Sequence, residues 1–262
     1  MQQKLILAIN EMNTDFYKIT NPYLNHSDHV YRLGWVDLIN IIKETDQNLN
    51  VLDIACGDGR FGCLLAQNNL NIQSYIGVDN SKFSLEIASQ KISNTSIKTS
   101  ELIYSDLIFD IDYLSKISSE TNIVVIIGLF HHLPSQKLRL EFMKKITDRL
   151  SSGARLIWTT FQYLDIPRLK RQVLDLQDPK ITQFLQSKFD LDISELESGD
   201  SILEWSKILE TKETIRAYRY SHYFNQNEID DLINQSNLIL KHDFTENGNE
   251  GGLNRYFICE KG

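Results

Sequence analysis

The amino-acid sequence predicts an α/β protein with a doubly wound, mostly parallel sheet. Short apolar runs alternate with helix-patterned segments over residues 49–160, the order that parallel strands with helical crossovers require. The first four apolar runs end at glycine or acidic residues. The last two runs are joined by a Gly/Asn-rich loop that suits a hairpin. The sheet is therefore expected to finish in a C-terminal antiparallel hairpin.

Each strand and helix of the first two thirds of the chain follows from this alternation. The predicted strands are Leu49–Ala55, Gln73–Val78, Glu101–Tyr104, Ile123–Ile127 and Arg155–Thr160. The predicted helices are Arg60–Asn69, Ser81–Ser93 and Ser135–Leu150. Ser81 is a suitable N-cap. The run Ile123–Ile127 is β-branched throughout, so we expect it at the centre of the sheet.

The remaining segments divide the chain into residues 1–45, expected to be mostly helical, and one domain over residues 46–262. Asn225 and Glu228 have capping-box spacing before an apolar helix face. Strands are expected over Leu238–Phe244 and Leu253–Cys259. Residues 162–224 then form an insertion before this last unit, and the insertion is expected to be mainly helical.

The composition indicates a soluble, cytoplasmic protein. A net charge of -8 weighs against unaided nucleic-acid binding, which depends on a basic surface. The three cysteines, Cys56, Cys63 and Cys259, have neither zinc-site nor disulfide spacing, so reduced thiols and no metal site are expected. The apolar run Leu5–Ile9 is too short for a signal peptide or a membrane span, so no membrane association is expected.

A glycine-rich turn follows the first predicted strand. Residues 57–62 satisfy the pattern G-x-G-x-x-G, and Asp79 lies 22 residues after Gly57. A dinucleotide-binding enzyme is therefore the first alternative. Its doubly anionic pyrophosphate would lie against the carboxylates of Asp53 and Asp58, at a cost of several kcal/mol. A cationic ligand without phosphate suits this turn better.

The sequence Val51-Leu52-Asp53-Ile54-Ala55-Cys56-Gly57-Asp58-Gly59 resembles the first motif of class I S-adenosylmethionine-dependent methyltransferases, which have a Rossmann-like fold. This resemblance implies S-adenosyl-L-methionine as the cofactor and methyl transfer as the reaction. The cofactor-binding residues that it implies are Asp53, Ala55, Gly57, Asp58, Gly59, Asp79, Asn80, Asp106, Leu107 and Gly128.

Within this set the resemblance also implies individual roles. Asp53, Ala55 and Gly57 would surround the methionine part, and Asp79 would accept both ribose hydroxyls. Asp106 would contact the adenine amino group. Leu107 would lie against the adenine ring, and Gly128 would admit the methionine part. Any one acid could instead cap a loop or helix, but such positions at four successive strand ends favour a ligand site.

Two adjacent histidines, His131 and His132, follow the fourth predicted strand and are candidates for the methyl-acceptor side. Adjacent residues on a regular element cannot point the same way. We therefore expect one of them at most, His132, to face the transferred methyl group. The structural alternative is that one histidine packs in the core and the other caps the following helix.

The block Arg219-Tyr220-Ser221-His222-Tyr223-Phe224 resembles the ending of tRNA wobble-uridine methyltransferases, which esterify a carboxymethyl group on that uridine. Asn13-x-x-Phe16-Tyr17 and Gly34-Trp35 are similar to the N-terminal segment of related bacterial proteins. The resemblance implies tRNA, bound with a helper protein, as the partner. His132, Arg219 and His222 are the candidate catalytic residues.

The acceptor decides which chemistry these residues must supply. A carboxylate is already ionised near neutral pH and needs no base, but it calls for an arginine fork. Arg219 is the first candidate, followed by Arg255 and by Arg32, since Ser27-Asp28 stand where the family usually has Thr-Arg. A hydroxyl or amine acceptor, as in a small-molecule methyltransferase, would require a histidine base. That enzyme is the alternative function, and a non-catalytic scaffold is the third.

Overall fold

The computed structural model describes residues 2–23, 33–44, 48–245 and 252–262. The strands are β1 Leu49–Ile54, β2 Ile72–Asp79, β3 Thr99–Tyr104, β4 Ile123–Ile126, β5 Arg155–Phe161, β6 Asp200–Ile208, β7 Thr214–His222, β8 Leu238–Thr245 and β9 Asn254–Lys261. The α-helices are α1 Gln2–Thr20, α2 Leu33–Lys43, α3 Arg60–Gln67, α4 Lys82–Ile92, α5 Gln136–Thr147, α6 Pro167–Lys170, α7 Pro179–Phe189 and α8 Gln226–Gln235.

Seven strands form one sheet in the order β3-β2-β1-β4-β5-β9-β8. Strands β1 to β5 are mutually parallel, and β9 runs antiparallel to both β5 and β8. The predicted doubly wound sheet with a C-terminal antiparallel hairpin is thus confirmed. The order reverses direction between β1 and β4, and ligands of open α/β sheets bind at the carboxyl ends of the strands at such a point.

Helices cover both faces of this sheet. On one face, α5 and α8 enclose a core in which Trp158 stacks on Phe257 with 4.4 Å between ring centroids. On the other face, α2 and α3 enclose a second core that contains Trp35 and Phe61. Burial of each such large side chain contributes roughly 1.5–3 kcal/mol. Together these two cores hold the strand ends in fixed relative positions.

The predicted helix starts have the expected capping geometry. Ser81 caps α4, because its hydroxyl accepts the backbone N–H of Ser84 at 3.2 Å. Asn225 and Glu228 form the complete capping box of α8, with bonds of 3.1 and 3.0 Å. Ser135 caps α5 through the backbone N–H of Leu138. Caps of this kind contribute about 0.5–2 kcal/mol each.

The expectation of a mainly helical insertion over residues 162–224 is wrong. Besides α6 and α7, the insertion contains the antiparallel hairpin of β6 and β7. Ile202 and Tyr220 pack against α1 and α7, whereas Leu203 on the opposite face packs against Phe161. A strand that is buried on both faces loses the apolar/polar alternation that would reveal it in sequence.

Helix α1 runs beside β7 and packs on α7, so the N-terminal segment and the insertion form one unit. The prediction that residues 1–45 are mostly helical is confirmed for the part that the structure describes. Among the described residues, the helices lack the combination of length and apolar character that crossing a membrane requires.

Candidate functional site

A cavity of about 230 Å³ lies at the carboxyl ends of the parallel strands, beneath α1. Eight predicted cofactor residues line it: Asp53, Ala55, Gly57, Asp58, Asp79, Asn80, Leu107 and Gly128. Gly59 and Asp106 are not among the lining residues. The cavity therefore collects residues from four strand ends that lie far apart in the sequence.

The turn after β1 has a backbone that opens toward the cavity. Ala55, Gly57 and Gly59 all have positive φ, at 65°, 55° and 73°. A Cβ built on Gly57 would meet no atom within 4 Å, so the space beside it is open. A Cβ on Gly59 would lie 3.1 Å from the Cβ of Ala88 in α4. Gly57 thus leaves room for a ligand, and Gly59 allows close helix packing.

Asp79 organises this turn from the end of β2. Its Oδ2 accepts the backbone N–H of Gly57, and its Oδ1 accepts that of Ser81, both at 2.8 Å. Burial raises the pKa of Asp79, while these N–H donors oppose the rise. Each carboxylate oxygen has two lone pairs, so Asp79 can still accept bonds from a ligand that carries two hydroxyls.

Asp53, on β1, is a second buried carboxylate at the cavity. The hydroxyl of Tyr75 donates to its Oδ2 at 2.7 Å. Burial raises the pKa of Asp53 to about 7, against the lowering effect of that hydrogen bond. A cation entering the cavity would favour the ionised form of Asp53.

Asp58 differs from Asp53, because two basic side chains neutralise it. Arg60 Nε lies 2.8 Å from its Oδ1, and Lys91 Nζ lies 3.1 Å from its Oδ2. A pyrophosphate at this turn would therefore face mainly the carboxylate of Asp53. Asp58 lines the cavity with its charge already paired, and its role in cofactor binding stays a prediction.

Asp106, after β3, holds its own loop. Its Oδ1 accepts the backbone N–H groups of Ile108 and Phe109 at 2.9 and 2.8 Å. Its Oδ2 accepts the side-chain amide of Asn10 at 2.9 Å. This arrangement turns Leu107 and Ile108 toward the cavity.

Helix α1 contributes a polar stripe that the sequence analysis missed as part of the site. Asn10, Asn13 and Tyr17 of α1 and Asn21 of the 3-10 turn that follows are spaced three or four residues apart and line the cavity. Asn21 donates to Ser84 at 3.2 Å. The helical spacing of these polar residues, beside the apolar face of α1, was the signal in the sequence.

Asn13 connects the cavity to the insertion. Its Oδ1 accepts the backbone N–H of Tyr220 in β7 at 2.9 Å, and its Nδ2 lies 3.5 Å from the carbonyl oxygen of His132. One side chain of α1 thus bonds both to β7 and to the segment after β4.

His132 lies at the cavity, as expected, whereas His131 packs against Phe161 and does not line it. The Nδ1 of His132 lies 2.9 Å from the carbonyl oxygen of Tyr220, so Nδ1 carries the proton and donates it. Nε2 then accepts the hydroxyl of Tyr17 at 2.8 Å. Burial, reinforced by the nearby Arg219, lowers the pKa of His132 to about 3. The ring is therefore neutral at pH 7, and its Nε2 lone pair is already occupied by the Tyr17 hydroxyl.

Arg219 lies on β7 between two aromatic rings. Its guanidinium carbon is 5.0 Å from the ring centroid of Phe16 and 4.8 Å from that of Phe161. The positive charge of Arg219 contributes to the lowered pKa of His132, so the guanidinium lies near this cavity-lining ring. Arg219 is not one of the cavity-lining residues, so it would meet a ligand that extends beyond the cavity.

The structure corrects the prediction that His222 is catalytic. His222 is fully buried, with Nδ1 2.7 Å from Asp200 and Nε2 3.1 Å from Glu228. Both ring nitrogens therefore have protein partners away from the cavity. The geometry favours a structural role, in which His222 joins the hairpin of the insertion to α8.

Arg255 and Arg32 were the next candidates, after Arg219, for binding an acceptor carboxylate. Arg255 donates through Nε to Asp243 at 2.7 Å on the neighbouring strand β8, so it already has a carboxylate partner. Arg32 and Ser27-Asp28 lie outside the described residues.

A family model described as a methyltransferase domain matches residues 45–193. No curated protein matches the sequence.

Solved structures of similar fold include a S-adenosylmethionine-dependent methyltransferase from Clostridium acetobutylicum, with a TM-score of 0.59, 14% identity, and coverage of 97% of this chain and 98% of that one. A second, from Methanosarcina mazei, has a TM-score of 0.56, 20% identity, and coverage of 84% and 96%. The magnesium protoporphyrin IX methyltransferase of Synechocystis with bound SAH has a TM-score of 0.59, 14% identity, and coverage of 99% of both chains. At these identities the likeness concerns the fold.

Proposed function

This chain belongs to the methyltransferase-domain family, and from that membership we propose that it esterifies a carboxylate, the carboxymethyl group of a modified wobble uridine in tRNA. It is an S-adenosylmethionine-dependent methyltransferase with a Rossmann-like fold. The identity of the acceptor and the roles of the individual residues are our proposal.

For the cofactor, we assign roles by the chemistry of the cavity. The cofactor supplies a methyl group on a positively charged sulfur, beside a cationic amino group. Asp53, buried and close to the open space at Gly57, would pair with the amino group. Asp79 would accept the ribose hydroxyls, and Leu107 would lie against the adenine ring. Gly128 has a φ of 84° and no atom within 4 Å of a built Cβ, so it leaves room for the methionine part.

The observation that carries the acceptor assignment is the pairing of a neutral, fully engaged His132 with a cationic Arg219 beside it. A hydroxyl or amine acceptor loses a proton on methylation. Both ring nitrogens of His132 already bond to protein groups, and burial lowers its pKa, so His132 is poorly placed to receive that proton. A carboxylate has no proton to lose near pH 7. It requires an opposite charge, which Arg219 provides.

In this mechanism the chain acts mainly by positioning. The guanidinium of Arg219, restricted by Phe16 and Phe161, would orient the carboxylate toward the cavity. Helix α1 would exclude water above the transferred methyl group through Tyr17 and Asn13. The product is an uncharged methyl ester, which Arg219 binds less strongly than the anion, and this difference favours release.

The tRNA part of the proposal rests on the sequence resemblance of the block from Arg219 to Phe224. Because the chain carries a charge of -8, we propose that a basic helper protein contributes to holding the tRNA.

The test uses S-adenosylmethionine with a labelled methyl group and tRNA with or without the carboxymethyl group. We expect transfer only to the modified tRNA, and release of the label as methanol in mild alkali, because esters hydrolyse and N-methyl or ether products do not. A product that is stable to alkali would contradict a carboxylate acceptor.

Arg219→Lys keeps the charge but loses the two-pronged geometry, so turnover should fall about 10- to 100-fold with unchanged cofactor affinity. Arg219→Ala should fall further. Arg216→Ala is the matched control, because Arg216 lies on the same strand with its side chain on the other face. Normal turnover in both Arg219 variants, with earlier melting, would identify a purely structural arginine.

The second candidate is a small-molecule methyltransferase, which is favoured by the small cavity beneath α1. Robust activity on a small carboxylic acid, with none on modified tRNA in the presence of a basic helper protein, would establish it in place of the tRNA proposal.

A further inference from the structure

The two faces of the hairpin of β6 and β7 differ in their acidic residues. Directly opposed residues of an antiparallel pair point to the same side of the sheet. The Arg219 face therefore consists of Ser201, Leu203, Trp205, Lys207, Ile215, Ala217, Arg219 and Ser221. This face carries the cations Lys207 and Arg219 and no carboxylate. The opposite face carries the carboxylates Asp200 and Glu204 together with Arg216, which pairs with Glu204.

The outer half of this face is aromatic as well as basic. The rings of Tyr23 and Trp205 are stacked, with 6.1 Å between centroids and an interplanar angle of 30°. Lys207 Nζ lies 4.7 Å from the centroid of Tyr23. Tyr23 is 37% exposed and Lys207 is exposed. A ligand can therefore reach both side chains, although Tyr23 also contacts Trp205 and Lys207.

The cluster lies on the same face of the hairpin as Arg219, beyond the buried residues Leu203 and Ala217. Arg219 opposes Leu203, and Lys207 lies four residues farther along β6, a distance of about 13 Å. That separation is too large for the reacting carboxylate to reach Lys207. Lys207 could instead contact another part of the same acceptor molecule, away from the reacting carboxylate.

We propose that the outer end of this face binds single-stranded RNA, with a nucleobase next to the methylated residue stacking on the Tyr23–Trp205 pair and its phosphate at Lys207. Aromatic rings stack on any base and lysines neutralise phosphates, which is how proteins hold single strands. The face thereby extends the acceptor site from one carboxylate to a loop of RNA. The inference rests on the proposed function for the identity of the methylated residue, and on the hairpin alone for RNA binding.

The test measures fluorescence anisotropy of a labelled, unmodified anticodon stem-loop RNA with the full chain and its variants. Because this RNA lacks the carboxymethyl group, the measurement does not depend on methyl transfer. Trp205→Ala should weaken RNA binding about 5- to 100-fold, and Trp205→Phe should retain most of it. Lys207→Ala should reduce the slope of log Kd against log salt concentration by about 0.7 to 1.

Arg216→Ala is the matched control, since it removes an exposed cation from the other face of the same hairpin. Its RNA affinity should equal that of the wild type. Melting temperature and SAH binding verify that each variant is folded. No RNA binding by the wild type, or equal losses in the Lys207 and Arg216 variants, would overturn the proposal. A failure of the proposed function would instead appear as absence of ester formation with RNA binding intact.

Discussion

Asp53 is a buried carboxylate whose pKa of about 7 places its titration at physiological pH. Its ordinary pKa in an unfolded chain is near 4. Since the folded-state pKa is raised, Asp53 favours the folded protein fully below about pH 4, and this contribution is lost as the pH rises through 7. The loss amounts to a few kcal/mol in the ligand-free protein. Asp53 thus destabilises the ligand-free protein near neutral pH. We infer that its function is to pair, in the ionised form, with a cationic cofactor.

The first prediction follows from this titration. Because burial raises the pKa of Asp53 to about 7, part of the population is protonated at neutral pH, so pairing with the amino group of SAH should release a fraction of a proton. Calorimetric titrations in two buffers of different ionisation enthalpy measure that number. Asp53→Asn should abolish the release and weaken SAH binding by about 1.5–3 kcal/mol, the range for a charge-assisted hydrogen bond.

Stability provides the complementary measurement. The melting temperature of ligand-free Asp53→Asn should exceed that of the wild type by an amount that grows from pH 5.5 to pH 8. Asp58→Asn is the control, because it removes a carboxylate of the same turn that already binds Arg60 and Lys91. Equal proton release by wild type and Asp53→Asn would rule out this role for Asp53.

At the residue scale, the sequence predicted where side chains lie better than it predicted which groups they bond to. The positions of Asp53, Asp79 and Gly128 at the cavity were predictable, because each lies at or just after the carboxyl end of a clear strand, and these strand ends converge. The two cations at Asp58 could not be predicted, since Lys91 comes from another helix. For the same reason His222 was wrongly assigned, because its partners Asp200 and Glu228 belong to separate elements.

At the element scale, the insertion is fixed to the main domain by a buried polar network. His222 lies between Asp200 of β6 and Glu228 of α8. The hydroxyl of Tyr220 donates to Asp200 at 2.5 Å. Arg139 of α5 reaches Glu228 at 3.6 Å and donates to the carbonyl oxygen of Leu133 at 3.0 Å. The network thus joins the hairpin, two helices and the segment that carries His132.

The second prediction concerns this network. His222→Ala would leave two carboxylates without their shared partner, and such a loss in a buried ionic network costs about 3–5 kcal/mol. Urea unfolding should show that loss. Tyr223→Phe is the matched control on the adjacent residue, because the Tyr223 hydroxyl bonds to Asp165 near the surface, and it should cost less than about 1 kcal/mol. Folded His222→Ala protein should retain methyl transfer, and a selective loss of turnover without a change in stability would restore the catalytic interpretation.

How well each strand or helix could be predicted depended on the regularity of its apolar pattern. Strands β1 to β5 and the capped helices could be placed from sequence, because each has one apolar period and one clear end. The β6–β7 hairpin could not, since both of its faces are partly buried by elements distant in sequence. Helix α1 could be predicted as a helix. The role of its polar side chains could not, because the cavity that they line is formed by strand ends distant in the sequence.

At the scale of the whole molecule, α1 connects the cofactor cavity to the insertion. Asn10 bonds to the loop after β3, Asn21 to the start of α4, and Asn13 to both β7 and the segment after β4. The same helix buries Leu5 and Met12 against α7 and the hairpin. A ligand that stabilises the cavity should therefore stabilise α1 and, through it, the hairpin.

The last prediction tests this coupling by hydrogen exchange with and without SAH. SAH should raise the melting temperature, because it binds the native state, whereas NAD and NADP should not. In the same samples SAH should slow amide exchange in α1 and in β6–β7, although the hairpin does not line the cavity. Asn13→Ala removes the bond from α1 to the backbone N–H of Tyr220, so it should preserve protection around the cavity while reducing protection of the hairpin. Asn10→Ala is the control, since its bond to Asp106 lies on the far side from the hairpin and its loss should leave hairpin protection intact. Protection confined to the cavity in the wild type would mean that cofactor binding and the insertion are independent. Protection that spreads to the hairpin only when Asn13 is present would identify α1 as the element by which cofactor binding orders the acceptor side, with Arg219 brought to its position before the acceptor arrives.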